Sequence, residues 1–95
     1  VFGNLDKKVT RVAISPGSGK HMTELAITKG ADVFVTAEID HHEGIDAVAQ
    51  GMAIIDAGHY GLEHIFIKDV AGFLREKLQG MDIVTAPEEH PFQLV

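Results

Sequence analysis

The sequence predicts an α/β fold in which helices pack on a mostly parallel sheet. Short apolar, β-branched segments alternate along the chain with segments whose apolar residues recur at helical spacing, and few residues separate them. Strands joined by single helices form βαβ units, whose strands run parallel. At 95 residues, the chain is long enough for one small domain over 1–95.

Four strands, three helices and a short last strand are predicted. Their order is a strand over 9–15, a helix over 20–29, a strand over 31–36, a helix over 42–50, a strand over 52–57, a helix over 59–79, a strand over 81–85 and a last strand over 92–95. Gly30, Gly51 and Gly80 follow the three helices, at the position where glycine commonly ends a helix. The long helix is predicted to face the core with an apolar stripe formed by Phe66, Val70, Phe73, Leu74 and Leu78.

Composition excludes several classes of protein. Hydrophobic residues make up 45% of the chain, which excludes a disordered protein, and no apolar run is long enough for a membrane span. The net charge of −6 argues against nucleic acid as a partner. Without cysteine the chain has no disulfides, thiolate catalysis or cysteine zinc sites, which fits a reducing compartment. Because it begins with Val1 close to a strand, we expect a piece of a longer protein.

Polar side chains concentrate where the predicted strands end. Ligands of open α/β sheets bind beyond the carboxyl ends of the strands. The three ends are the segments 15–21, 38–43 and 56–59, the last followed by Glu63, and they hold four of the six histidines. We therefore expect the functional site at this edge of the sheet.

The glycine turn after the first strand resembles two phosphate-binding motifs without matching either. A P-loop would need Gly at 14 and Ser or Thr at 21, where Ile14 and His21 stand, and a dinucleotide fingerprint would need Gly in place of Met22. Two interpretations stay open: an anion-binding turn with free N–H groups, or a tight connection without a ligand.

His59 and Glu63 form the most informative pair. Four residues apart on a helix, they point the same way, within the stripe predicted to face the core. A buried histidine and glutamate need partners, and one helix face can offer both to a divalent metal. The alternative is a plain hydrogen bond between them at a helix start.

The segment 40–43 is a second polar cluster. Asp40 could cap the following helix, with Glu43 completing a capping box. His41 and His42 diverge by about 100° if helical, so we expect one to face the site and the other solvent. Glu38, just past a buried strand, could orient a ligand or act as a base. The remaining histidines, His21, His64 and His90, are given no role.

Four runs of sequence resemble, in order, the C-terminal half of the Nif-three-like family, whose members also carry the name GTP cyclohydrolase I type 2 homologue. They are VAISPGSGKHM, ADVFVTAEIDHH, IIDAGHYGLE and the closing PFQLV. The resemblance covers essentially the whole chain. Its most specific part is the Asp-Ala-Gly-His-x-x-x-Glu segment over 56–63.

The resemblance implies the C-terminal portion of a Nif-three-like fold in a cytoplasmic protein that commonly forms homohexameric rings. It implies a centre of two divalent metal ions (Zn, Mn or Fe), with His59 and Glu63 as this chain's ligands and the others in the N-terminal half. Ser18, Glu38 and His42 correspond to residues of the substrate cleft.

Three functions follow from the resemblance. The first is a metal-dependent hydrolase acting on a nucleotide, of the GTP cyclohydrolase type. The second is a non-catalytic metal-binding protein that regulates or scaffolds through protein partners. The third is an incomplete domain that supplies half of a site.

Overall fold

The computed structural model of the protein describes residues 1–87, 89–93 and 95. It is an α/β structure built on a three-stranded parallel sheet in the order β1-β2-β3, which confirms the predicted class. The elements are β1 (Val12–Ser18), α1 (Met22–Thr28), β2 (Val33–Glu38), α2 (His41–Ala49), β3 (Ala53–Asp56), α3 (Gly58–Glu63) and α4 (Ile65–Lys77).

The first two helices end as their glycines predict. The N–H of Gly30 donates to Ile27 at 2.8 Å, and that of the next residue, Ala31, donates to Ala26 at 3.0 Å. The same pair of bonds closes α2 around Gly51. This motif needs a left-handed residue after the helix, and both glycines have a positive φ. Each helix therefore turns directly into the next strand.

The strand β2 lies at the centre of the sheet and fixes its register. Val33 pairs with Val12 on one side and with Ala53 on the other. The pairing with β1 becomes irregular after Ser15 and resumes where Ser18 lies opposite Glu38. The strand thus continues three residues past its predicted end and brings the glycine turn beside the end of β2.

The core is small and is centred on β2 and β3. Its largest fully buried side chains are Phe34, Met52 and Ile54. Phe2 packs against this cluster and exchanges two backbone hydrogen bonds of 2.9 Å with Ile54, along the outer edge of β3. The sequence offers no element before the first strand, so this contribution was not predicted.

The residues that the structure describes do not form either of the two strands predicted after the long helix. Residues 81–85 lie outside any strand, because none of the described strands lies alongside to pair with them. In the predicted last strand, residues 92, 93 and 95 are also irregular, and Leu94 lies outside the described residues.

The predicted helix over 59–79 is two helices, α3 and α4, which are separated at His64. Its predicted buried stripe is also wrong: Phe66 and Phe73 are 57% and 58% exposed, whereas Ala71 is buried. The helix α4 has two adjoining apolar sides. The side with Ala71 is buried, and the side with Phe66 and Phe73 is exposed. Among the described residues, no helix is long and apolar enough to cross a membrane.

Candidate functional site

The candidate site lies at the carboxyl ends of the strands. Glu38 is the last residue of β2, and His59 is the second residue of α3, three residues after the end of β3. The turn between β3 and α3 is held by the Asp56 carboxylate, which accepts the N–H of Gly58 at 2.9 Å. This turn places His59 opposite the end of β2.

The imidazole of His59 lies between two carboxylates. Its Nδ1 is 2.8 Å from Oε1 of Glu63, and its Nε2 is 3.3 Å from Oε2 of Glu38. The structure therefore joins three of the residues that the sequence singles out. His59 and Glu63 were predicted to be buried, but their side chains are 52% and 40% exposed. The side chain of Glu38 is 61% exposed.

Both carboxylates favour a proton on the ring. The hydrogen bond that the ring donates to Glu38 is the largest cause that raises the pKa of His59 above its ordinary value. The hydrogen bond donated to Glu63 is the next largest cause. As a cation, the ring donates through both nitrogens. As a neutral ring it has one nitrogen free, which can bind a metal ion.

The glycine turn lies against this cluster. A Cβ on Gly17 would be 3.7 Å from Oε1 of Glu63. The N–H of Gly19 already donates to the Glu38 carbonyl at 3.2 Å, so it is not free for an anion. Ser18 lines a cleft of about 30 Å³ together with Lys20 and Glu38, which has room for water rather than for a nucleotide.

His42 belongs to a different surface. With His21 and His41 it lines a groove of about 710 Å³ between α1 and α2. The rings of His41 and His42 meet edge to face, with centroids 5.4 Å apart, and both residues are exposed. This groove does not include His59, Glu38 or Glu63, and the expectation that one of the two histidines faces the site and the other solvent stays a prediction.

Asp40 stands at the N-cap of α2, but the predicted capping box does not form. Its side chain makes no capping hydrogen bond. The carboxylate lies instead 3.7 Å from Nζ of Lys20, in an exposed ion pair. Exposed ion pairs of this kind contribute little to stability.

Thr36 is a residue that the sequence analysis missed. It is fully buried in β2, and its hydroxyl lies 3.5 Å from the Gly17 carbonyl and 3.4 Å from that of Glu38. It thus ties the glycine turn to the strand end that holds Glu38. The sequence feature that could have identified it is a single threonine within an otherwise apolar strand segment.

His59 and Glu63 have donor chemistry suited to a divalent metal, one imidazole nitrogen and one carboxylate oxygen. Among residues 1–87, 89–93 and 95, no group of three or more histidine, aspartate or glutamate side chains is arranged to hold a metal ion. The cluster is therefore at most part of a metal site.

Comparisons with known proteins place the chain in a family. The chain is 41% identical over 90 residues to the GTP cyclohydrolase 1 type 2 homolog of Lactococcus lactis, covering 94% of this chain and 35% of the relative. It superposes on Staphylococcus aureus hypothetical protein SA1388 with a TM-score of 0.79 at 33% identity, over 98% of this chain and 28% of the other.

A Bacillus cereus protein related to NIF3 gives a TM-score of 0.75 at 32% identity, over 99% of this chain and 27% of the other. The chain thus spans about a third or less of the length of these relatives. A family model described as Duf34/NIF3 (NGG1p interacting factor 3) matches residues 1–91. By this match over nearly its whole length, the chain belongs to the Duf34/NIF3 family.

Proposed function

We propose that this chain supplies one part of a divalent-metal centre, with His59 and Glu63 as ligands, in a metal-dependent hydrolase that acts on a nucleotide. The observation that carries the proposal is the 2.8 Å contact between His59 Nδ1 and Glu63 Oε1 at the carboxyl edge of the sheet. The nucleotide class follows from the name of the curated relatives, GTP cyclohydrolase 1 type 2 homolog.

The geometry of the pair fits a metal ion. A metal bound to both side chains at ordinary bond lengths would hold the two donor atoms roughly 3.0–3.4 Å apart. The observed separation of 2.8 Å needs to widen only slightly. Both side chains are partly exposed, so an ion can reach them from solvent. Zn, Mn and Fe all accept this combination of nitrogen and oxygen donors.

The remaining ligands have to come from elsewhere. Structural zinc sites use four protein ligands and catalytic ones use three with a water, whereas this pair offers two. Since the relatives extend well beyond the matched region, we infer that their other residues complete a centre of two metals. Such a centre, when loaded, would activate a water and stabilise the charge that develops on the substrate.

A second function is favoured by the charge around the site. The cleft beside Ser18 is lined by three acids, Glu38, Asp40 and Glu43, and by one base, Lys20. An acidic lining repels the phosphates of a nucleotide. This observation favours a non-catalytic metal-binding protein that regulates or scaffolds through protein partners. Metal-dependent turnover of GTP by the full-length Lactococcus lactis relative would support the hydrolase, and metal binding without turnover would support the alternative.

The ligand assignment is tested by metal titration of this chain. We expect weak, saturable binding of Zn²⁺ or Mn²⁺ by calorimetry, and its loss in His59→Ala and in Glu63→Ala. His64→Ala is the matched control, because His64 follows Glu63 directly but its Nδ1 contacts the Tyr60 carbonyl. Equal loss of binding in the His64 variant, or unchanged binding in the other two, would contradict the assignment.

The affinity for metal tests separately whether this chain supplies only part of the site. With two protein ligands, most of the coordination sphere is left to water, so we expect weak binding and no turnover by the 95 residues alone. Tight, stoichiometric binding of metal by a monomer of this chain would show that its own residues complete the site.

A further inference from the structure

We propose that Glu38 is a positioning residue: it holds the Nε2–H of His59 and so leaves Nδ1 as the nitrogen that faces Glu63 and the metal. The proposal rests on the proposed function, in which His59 and Glu63 bind the same ion. To the proposed function it adds which nitrogen of the His59 ring binds the ion, and it names Glu38 as the residue that determines this.

The hydrogen-bond chemistry determines the assignment. A neutral imidazole carries one N–H, and the partner of one nitrogen decides which form is present. An ionised carboxylate only accepts, so Glu38 favours the form with the proton on Nε2. Glu63, 2.8 Å from Nδ1, favours a proton on that nitrogen in the same way, until a metal ion binds between Nδ1 and Oε1 and takes the place of that proton. Glu38 then holds the remaining N–H on Nε2. Histidine ligands in metal sites commonly donate their second N–H to such a carboxylate.

The backbone that carries Glu38 is well fixed. The central strand β2 pairs with a neighbour on each side, and Glu38 lies opposite Ser18 in its register. The Glu38 carbonyl accepts the N–H of Gly19 at 3.2 Å and lies 3.4 Å from the hydroxyl of Thr36. Glu63, in contrast, is on the same helix as His59 and moves with it. Glu38 therefore sets the ring's orientation relative to the sheet.

The reverse arrangement is the main competitor. Nε2 of His59 and Oε2 of Glu38 are 3.3 Å apart, a separation that a shared metal would also give. In that arrangement Glu38 would be the ligand and Glu63 the positioning residue. Replacement of Glu38 by glutamine separates the two, because the amide oxygen still accepts the Nε2–H but is a neutral and poor metal ligand.

The metal-free chain gives a first test. In the ¹⁵N spectrum of the histidine-labelled metal-free chain, at a pH where the ring is neutral, we expect the proton of His59 to be shared between Nδ1 and Nε2, because each nitrogen faces a carboxylate. In Glu38→Ala, Glu63 is the remaining acceptor, so the proton should shift toward Nδ1, and Glu38→Gln should restore the parental form. An unchanged tautomer in Glu38→Ala would overturn the positioning role, whatever the metal chemistry.

The zinc-loaded chain gives the second test. We expect the metal to perturb Nδ1 of His59, Glu38→Gln to bind nearly as well as the parent, and Glu38→Ala to bind about 10- to 100-fold more weakly. Glu43→Gln is the control, an acid of the same cleft. A metal on Nε2, or loss of binding in Glu38→Gln as complete as in Glu63→Ala, would make Glu38 a ligand and overturn the proposal. Parental binding by Glu63→Ala would instead defeat the proposed function, while the tautomer test would still stand.

Discussion

Gly19 shows how a single residue shapes the site from a distance. A Cβ at this position would lie 2.2 Å from Oγ1 of Thr36, 2.9 Å from its Cβ and 3.1 Å from the Phe34 ring. Both neighbours are fully buried in β2 and cannot move aside. The absence of a side chain lets the glycine turn lie against the strand end that carries Glu38.

Gly19→Ala is therefore expected to destabilise the chain by about 1–3 kcal/mol, the usual cost of overpacking a tight contact. The measurement is urea unfolding followed by circular dichroism. Gly72→Ala is the matched control, since a Cβ at Gly72 of α4 would meet nothing within 4 Å. That variant should be stabilised by about 0.5–1 kcal/mol through helix propensity. Equal effects of the two substitutions would contradict the close-contact argument.

At the residue scale, the sequence predicts contacts between residues of one helix better than it predicts how far those residues are buried. The contact between His59 and Glu63 follows from their spacing on one helix, which is a local property. The contact with Glu38 depends on where β2 ends relative to β3. The sequence therefore predicted only that Glu38 and His59 lie at the same edge of the sheet. The burial of the pair was predicted wrongly, because burial depends on what covers the edge.

At the scale of an element, the start of β1 is fixed by the side chain of Asp32, the residue before β2. The Asp32 carboxylate accepts hydrogen bonds from the N–H of Thr10 at 2.8 Å, from its hydroxyl at 2.8 Å and from the N–H of Arg11 at 2.9 Å. These bonds, with the backbone bond of Thr10 as the largest cause, lower the pKa of Asp32 from 3.8 to about 2. The ionised carboxylate of Asp32 thus fixes the backbone of Thr10 and Arg11, the two residues that precede β1.

This shift predicts a pH dependence of stability. Because the pKa of Asp32 is lower in the folded chain, its contribution is present above pH about 4 and is lost as the pH falls toward about 2. Asp32→Asn should be less stable than the parent at neutral pH. The difference between their free energies of unfolding should shrink as the pH falls from about 4 toward about 2. Asp69→Asn, on the exposed side of α4, is the control. Parallel stability profiles of parent and Asp32→Asn would contradict the prediction.

Elements that depend on local signals were predicted, and those that depend on distant partners were not. The three strands and the first two helices are present because periodicity and the terminal glycines Gly30 and Gly51 specify them locally. Residues 81–85 have the composition of a strand, but within the described part of the chain no strand lies alongside them. The break at His64 was missed because no proline or glycine marks that position.

At the scale of the whole molecule, the chain is more extended than its length requires. Its radius of gyration is 16.9 Å, against about 12 Å for a compact domain of this size, and its longest dimension is 54 Å. The exposed side of α4 carries Phe66, Val70 and Phe73. Contiguous apolar surface of this kind is typical of a face that binds protein.

We therefore expect the isolated chain to associate through this side of α4 and to melt with weak cooperativity. Phe73→Lys should lower the mass measured by light scattering at high protein concentration, because it places a charge within the apolar stripe. Gly72→Lys adds the same charge about 100° around the helix, in open space, and should leave association unchanged. A compact monomer that melts cooperatively at every concentration, or an equal effect of the two lysines, would show that this face does not drive assembly.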